Sequence, residues 1–165
     1  MNGVKRMIRK AEKKDIPKLL ELLVQVDMVH HNGRPDIFKG PATKYNDKEL
    51  EVILQDKNTP VFVFTDEADI PLGHAFCVTK QVVGSDLLTD IKTLYIDDIC
   101  VDENARGKHV GKALFDYVVN YAGENGFYNV TLNVWTCNAS AMSFYKSMGM
   151  KEQKIGMEMI LSADK

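Results

Sequence analysis

Long apolar runs are missing from this chain of 165 residues, and with them any segment resembling the roughly 20 consecutive apolar residues that cross a bilayer as a helix. Cysteine is scarce as well. Cys77, Cys100 and Cys137 are odd in number and widely spaced, which argues against both a disulfide framework and a CxxC metal site. An excess of positive charge is also lacking: 21 basic and 23 acidic residues are interspersed for a net charge of -2, so no broad basic face is available to neutralise a nucleic-acid backbone. Neither nucleic acid nor membrane is an expected partner. Met1 to Arg6 carries charge but no apolar signal core, so the expected location is cytoplasmic with reduced thiols. Repeats and low-complexity segments are absent too.

What is present is an ordinary globular composition, 45% hydrophobic and 27% charged, in a chain long enough to bury close to 70% of its unfolded surface. A single domain over residues 1–165 is expected. Val4 to Lys10 suggests a first strand. Asp15 is a good N-cap for a helix with Pro17 in its first turn, and Ile16, Leu19, Leu20, Leu23 and Val26 recur at helical spacing until His30 to Gly33 interrupts them. Gly33 to Asn46 reads as an ordered loop, followed by a short helix capped by Asp47. Strands are expected over residues 61–64, 72–82 and 93–101. A helical stripe follows (Val110, Leu114, Tyr117, Val118, Tyr121), then a strand over residues 130–134 and a helix capped by Asn138. A last strand is expected around Ile155 to Leu161. This order implies an α/β (α+β) fold with a mixed sheet covered by helices.

The strand ending at Val101 runs through Asp102 to Ala105 into Arg106-Gly107-Lys108-His109-Val110-Gly111-Lys112, and then directly into an amphipathic helix. Such a junction suits an anion, because unpaired N–H groups at the helix start converge on negative charge and glycine permits close approach. Counting excludes two familiar phosphate motifs. Three residues separate Gly107 from Gly111 and Ala113 follows Lys112, whereas a P-loop has four between its glycines and a hydroxyl residue after its lysine. No GxGxxG is present for a dinucleotide.

In this turn the chain resembles the GNAT superfamily of N-acetyltransferases, whose pyrophosphate signature is Arg or Gln, two residues, Gly, one residue, then Gly or Ala. Arg106, Val110 and Gly111 fit, while His109 stands where the first glycine is usual. A second segment, Asn138-Ala139-Ser140-Ala141-Met142-Ser143-Phe144-Tyr145 through Gly149, is similar to the family's C-terminal acetyl-CoA helix. The resemblance covers most of the chain and is strongest over residues 94–150. It implies a mostly antiparallel central sheet whose splayed strands form an acyl-CoA cleft, with acetyl-CoA as co-substrate and no metal. Arg106 to Lys112 would hold the pyrophosphate, the backbone of Ile99, Cys100 and Val101 the pantetheine arm, and Asn138 and Lys146 further parts of the cofactor. A homodimer is common among such relatives.

Acyl transfer from a thioester to an amine needs a neutral nucleophile and a proton for the departing thiolate. A lysine-like amine has a pKa of about 10.4, so its neutral form costs roughly 4 to 5 kcal/mol at pH 7 unless a base assists. Asp97 and Asp98 are the carboxylates in reach. A regular strand would offer only one of them to the cleft, and the resemblance favours Asp97 as base, a choice that a bulge would reverse. The family motif makes Tyr145 the general acid. Acceptor contacts are expected from the loop after the first helix, where Arg34 can hold a carboxylate, Asp36 an ammonium and Phe38 an apolar wall. His30 and His31 lack a third ligand at a useful spacing, and His74 stands alone in a strand. The acceptor is expected to be a primary amine on a small molecule or on a protein or peptide. The alternative is an acyl-CoA-binding module without catalysis.

Overall fold

Alternating apolar stretches build one sheet, and the lengths of chain between them decide its connections. The computed structural model describes residues 7–161. Five strands, β1 (Met7–Lys10), β2 (Val61–Thr65), β3 (Pro71–Gln81), β4 (Lys92–Val101) and β5 (Asn129–Leu132), lie side by side in chain order. The first four pair antiparallel. β5 runs parallel to β4, which demands a crossover, and α3 (Val110–Glu124) supplies it. Helices α1 (Ile16–Gly33) and α2 (Asp47–Gln55) occupy the long link between β1 and β2, and α4 (Ala139–Ser147) follows β5. This mostly antiparallel sheet with flanking helices is the fold class expected.

β2 shows why the chain is layered. All five of its residues are buried, so its two faces enter two cores. Phe62 and Phe64 join Leu94, Ile96, Val110, Leu114 and Val118 on the α3 side. Val61 and Val63 join Ile16, Leu19, Leu23 and Leu50 on the α1–α2 side. The two cores share the sheet as a common wall.

Several element ends differ from expectation, each for a local reason. α1 continues through the histidines to Gly33. Asp15 precedes it but does not cap it, because its carboxylate accepts hydrogen bonds from Glu12 N and from the Arg9 guanidinium at 2.7–3.0 Å. α2 is capped by Asn46 and not by Asp47: Asn46 Oδ1 accepts from Glu49 N at 3.0 Å, and Glu49 accepts in return from Asn46 N at 2.8 Å. The expected start of the first strand, Val4 to Arg6, lies outside the described residues.

The expected last strand is a correction. Residues 155–161 have much of a strand's alternation, yet they form no ladder and are exposed throughout. A strand is defined by hydrogen bonds to a neighbour, which a pattern in one segment cannot supply.

Two irregularities of β4 prepare the site. Its pairing with β5 begins at Thr93 with Asn129 and ends at Ile96 with Leu132, so among the described residues Asp97 to Val101 has no strand neighbour on that side. Its pairing with β3 slips within the same stretch. Phe76 opposes Asp98 while Cys77 opposes Ile96, leaving Asp97 as an extra, bulged residue.

Candidate active site

The β4 bulge sets the direction of both carboxylates. Leu94 and Ile96 face the α3 core, and a regular strand would then turn Asp97 and Asp98 to opposite faces. The extra residue breaks that alternation, so both aspartates meet partners on the α1–α2 side. Asp97 accepts from Lys44 Nζ at 2.5 Å and from the Tyr45 hydroxyl at 3.5 Å, and the Tyr45 ring stacks on Phe76. Asp98 accepts from His74 Nε2 at 2.8 Å, and the His74 ring meets the same Phe76 edge-on. The bulge thus presents the two residues together, where a regular strand would have forced a choice between them.

His74 is fully buried, and its Nδ1 has no hydrogen-bond partner. A buried polar atom without a partner is costly, so the contact with Asp98 is the polar tie that holds this ring. Sequence alone left His74 isolated, since only the cross-strand register brings it to Asp98 across 24 positions of chain. Lys44 was missed for a similar reason. It lies in a loop without periodicity, and nothing local links it to β4. Burial works to lower its pKa, but the hydrogen bond to Asp97, the charge of Asp97 and the smaller effects of Tyr45 together raise it.

Tyr145 stands on α4 with its ring against Phe144 and Phe115, at centroid distances of 5.2 and 6.2 Å. Burial, followed by the negative charge of Asp98, pushes its phenol well above the usual tyrosine value. Both effects disfavour the phenolate, so the proton stays on the oxygen at neutral pH. Asn138 caps the same helix, accepting from Ala141 N at 3.1 Å. Lys146, one residue beyond Tyr145, pairs with Glu152 at 3.0 Å.

The turn of residues 106–112 leads from the free end of β4 into α3. Gly107 has φ +76°, a conformation that L side chains rarely adopt, and a Cβ there would meet nothing within 4 Å. His109 takes the left-handed conformation with φ 60° and ψ 20°, and its side chain makes no capping bond. Histidine therefore adopts the geometry for which glycine is usual, and its ring makes no hydrogen bond to the first amides of α3. Those amides, with the helix dipole behind them, suit an anion. Lys112 leans along the helix to Asp116 at 2.6 Å, and Lys108 and His109 are exposed beside the turn.

The entry to this turn is anchored to α1. Asp102, buried after β4, accepts from Asn104 N at 2.9 Å and from Lys18 Nζ at 2.5 Å. The Lys18 contact, then the Asn104 amide, holds its carboxyl below the usual range. Cys100 donates to Leu22 O at 3.4 Å, and burial pushes its thiol to about 12. Cys77 is likewise raised to about 12 by burial, so both act as structural apolar groups.

The loop after α1 spans the open side of the sheet. At one end, Phe38 stacks on His30 and meets Trp135 edge-on at 5.2 Å, just beyond β5. At the other, Lys44 and Tyr45 reach Asp97 on β4. Between them, Ala42 N donates to Asp27 at 3.0 Å. Arg34 is occupied within the chain, since its guanidinium donates to Asp36 at 2.7–2.9 Å and to Glu158 at 2.5 Å. An acceptor carboxylate at Arg34, or an ammonium at Asp36, would compete with these pairs.

The turn of residues 106–112, the β4 stretch beyond its pairing with β5 and both aspartates thus follow closely along the chain, and the charge of Asp98 reaches Tyr145 on α4. Residues 31–150 match the profile of the Acetyltransferase (GNAT) family. The chain belongs to that family. Among its GNAT relatives, it is 34% identical to human N-acetyltransferase 8B over 124 residues, covering 69% of this chain and 52% of that protein. It is 33% identical to the peptidyl-lysine N-acetyltransferase YjaB of Salmonella typhimurium over 103 residues, or 62% of this chain and 59% of that one. The chain thus spans little more than half the length of these curated relatives. A solved structure of a mutant BH1408 protein from Bacillus halodurans superimposes with a TM-score of 0.90 at 31% identity, covering 94% of this chain and 99% of that one.

Proposed function

We propose that this GNAT chain is an N-acetyltransferase that moves an acetyl group from acetyl-CoA to a primary amine by direct attack, with Tyr145 as general acid and a β4 carboxylate as base. One observation carries the reading: Tyr145 keeps its proton in an apolar setting under the influence of Asp98, beside the stretch of β4 that has left β5. A phenol so held can protonate a departing thiolate. The amides of Val110, Gly111 and Lys112, with Arg106, Gly107, Lys108 and His109, provide the pyrophosphate turn. Along Ile99, Cys100 and Val101, the backbone groups that point away from β3 offer a strand-like edge to the pantetheine arm and a donor to the thioester carbonyl. Asn138 and Lys146 are assigned to further parts of the cofactor.

Asp97 remains the first candidate for base. It already grips the ammonium of Lys44, so an acceptor ammonium replacing Lys44 would meet a carboxylate positioned for one. Asp98 has a second claim, because its charge reaches Tyr145 and His74 secures its carboxylate. Arg34, Asp36 and Phe38 lie in the acceptor loop, and the acceptor is a small-molecule or peptide amine. A cytoplasmic location completes the proposal, in keeping with three free cysteines.

A panel of amines assayed for CoA release, with acetyl-CoA binding followed by calorimetry, tests this. Tyr145→Phe should lower turnover by about 100-fold or more while leaving acetyl-CoA affinity nearly intact; unchanged turnover removes Tyr145 as the acid. Asp97→Asn should abolish the ionisation that controls the rate's rise with pH, and if only Asp98→Asn does so, Asp98 is the base. Binding without CoA release from any amine would instead identify a non-catalytic acyl-CoA-binding module.

A further inference from the structure

Lys44 is a primary amine that already stands at a β4 carboxylate. Its Nζ lies 2.5 Å from Asp97 Oδ2, and among the described residues it is the only cation paired with that side chain. The Tyr45 hydroxyl reaches the same oxygen at 3.5 Å. Lys44 is not a core residue, since its side chain is 53% exposed, and a half-exposed ion pair adds little to stability. Folding therefore gives weak reason for a lysine here.

The neighbours of Lys44 explain how it is presented. It belongs to the link between α1 and α2, where residues 34–46 form no helix or strand. Tyr45 pins the end of that link, because its ring stacks on Phe76 of β3 at 6.0 Å and packs against the α1–α2 core. The backbone beside Lys44 is thus tied to the sheet. The flexible four-carbon stem carries Nζ past the Tyr45 ring, 5.5 Å from its centroid, to Asp97. Asp97 is the bulged residue next to which β4 parts from β5, and the charge of the adjacent Asp98 acts on Tyr145. An amine tethered in this way needs no encounter with the chain, and a well-oriented intramolecular nucleophile gains orders of magnitude in effective concentration.

We propose that Lys44 is a self-acetylation site, a step that rests on the acetyltransferase reading with Asp97 as base. With acetyl-CoA bound and no acceptor present, Asp97 takes a proton from the Lys44 ammonium, and the neutral amine attacks the thioester carbonyl. An N–C amide bond forms and the C–S bond breaks. The nitrogen loses two protons in all. Asp97 passes the first to solvent, and the second replaces the proton that Tyr145 gives to the departing thiolate, so CoA leaves as the thiol. The product is a neutral amide that no longer pairs with a carboxylate. Acetylation thereby releases Asp97, and an external ammonium then meets that carboxylate without a competitor.

Incubation of the native chain with acetyl-CoA alone, followed by intact mass and peptide mapping, tests the proposal. One acetyl group per chain is expected, on Lys44, with one CoA released and a rate constant that does not change as the protein is diluted. Uncatalysed acetylation prefers exposed and readily deprotonated amines, whereas Lys44 is less exposed than Lys13, at 77%, and Asp97 favours its ammonium. Modification of Lys44 ahead of Lys13 therefore marks catalysis. Tyr145→Phe should slow it by about 100-fold. Lys44→Arg keeps a cation at Asp97 but offers no amine to acetylate, so it should release no such first equivalent of CoA. Relative to Lys44→Arg, the acetylated native chain should show a KM for the best amine of the panel that is lower by about 2- to 5-fold; equal values would overturn the release of Asp97. Lys44 modified no faster than Lys13, or equally fast in Tyr145→Phe, overturns self-acetylation. So does an unmodified Lys44 in a chain that acetylates external amines, a result that would leave the acetyltransferase reading standing. If neither Lys44 nor any amine is acetylated, both fall together.

Discussion

The two sides of β4 are built to different standards. Toward β1, the sheet is paired strand to strand, β2 is buried on both faces, and α1 alone contributes four buried residues. Toward β5, the pairing stops after four residues of β4, β5 is partly buried throughout, and α4 has no fully buried residue. The first side is a scaffold specified by its own core. The second is the more open side, with shorter pairing and less burial. Cooperative stability should therefore reside on the β1–β4 side, and ligand response on the β5–α4 side.

The largest expected effect tests that division directly. Phe62 is fully buried in β2, its ring edge-on to Tyr117 and Tyr121 of α3 at 5.1 and 5.0 Å. Phe62→Ala should cost about 3 to 5 kcal/mol in chemical denaturation, as deletion of a core aromatic ring does. Phe144→Ala removes the same ring from partly buried α4 and should cost less, about 1 to 2 kcal/mol. Equal losses would show that both sides are held by one uniform core, and the comparison would fail.

Ligand should act the other way round. Acetyl-CoA at a hundredfold excess over its Kd stabilises the native chain by about 2.7 kcal/mol through mass action alone. Hydrogen exchange below the global unfolding limit should show where order is gained. Slowing is expected at the start of α3, along β4 from Ile99 to Val101 and across α4, with little local change in β2. If the slowing were spread evenly over the sheet, cofactor binding would be coupled to the whole fold and the open side would not be a separate responsive region.

The same division governs what could be foreseen. The strands and helices of the scaffold were legible because burial repeats every second or every third to fourth residue, as in Ile16, Leu19 and Leu23 of α1 or Val110, Leu114 and Val118 of α3. The turn from β4 into α3 was legible as well, since Arg106 to Lys112 is contiguous and Gly107 stands where the backbone takes a positive φ. The missing parts depend on register. Asp97 and Asp98 face one side only because β4 carries an extra residue against Phe76 and Cys77, and no periodicity announces that slip. The His74–Asp98 and Lys44–Asp97 contacts follow from it and were hidden for the same reason. Residues 155–161 show the reverse error: their alternation was legible, but whether a neighbour receives them is a property of the whole sheet.

A contact between α1 and the exit of β4 ties the scaffold to the open side, and it gives a smaller effect than the core ring of Phe62 or bound acetyl-CoA. Lys18 on α1 reaches Asp102 at the exit of β4, with the two side chains 21% and 7% exposed. Lys18→Met keeps most of the apolar stem but leaves a buried carboxylate with only the Asn104 amide, at a cost of about 2 kcal/mol near neutral pH. The sign with pH follows from the carboxyl. Asp102 has its pKa lowered from 3.8 by Lys18 and then by Asn104, so its contribution is present above that ordinary value and is lost as pH falls through the lower folded value. Denaturation of native and variant chains from pH 7 downward should therefore show two stability curves that converge below about pH 4. If their separation stays constant into acid, the Lys18 stem, through packing, matters more than its charge. Acetyl-CoA affinity supplies the other half of the test. If Lys18 holds the anion turn in place, the variant should bind acetyl-CoA more weakly at neutral pH; unchanged affinity would mean that the turn keeps its shape without α1, and that the boundary between scaffold and opening falls after Asp102.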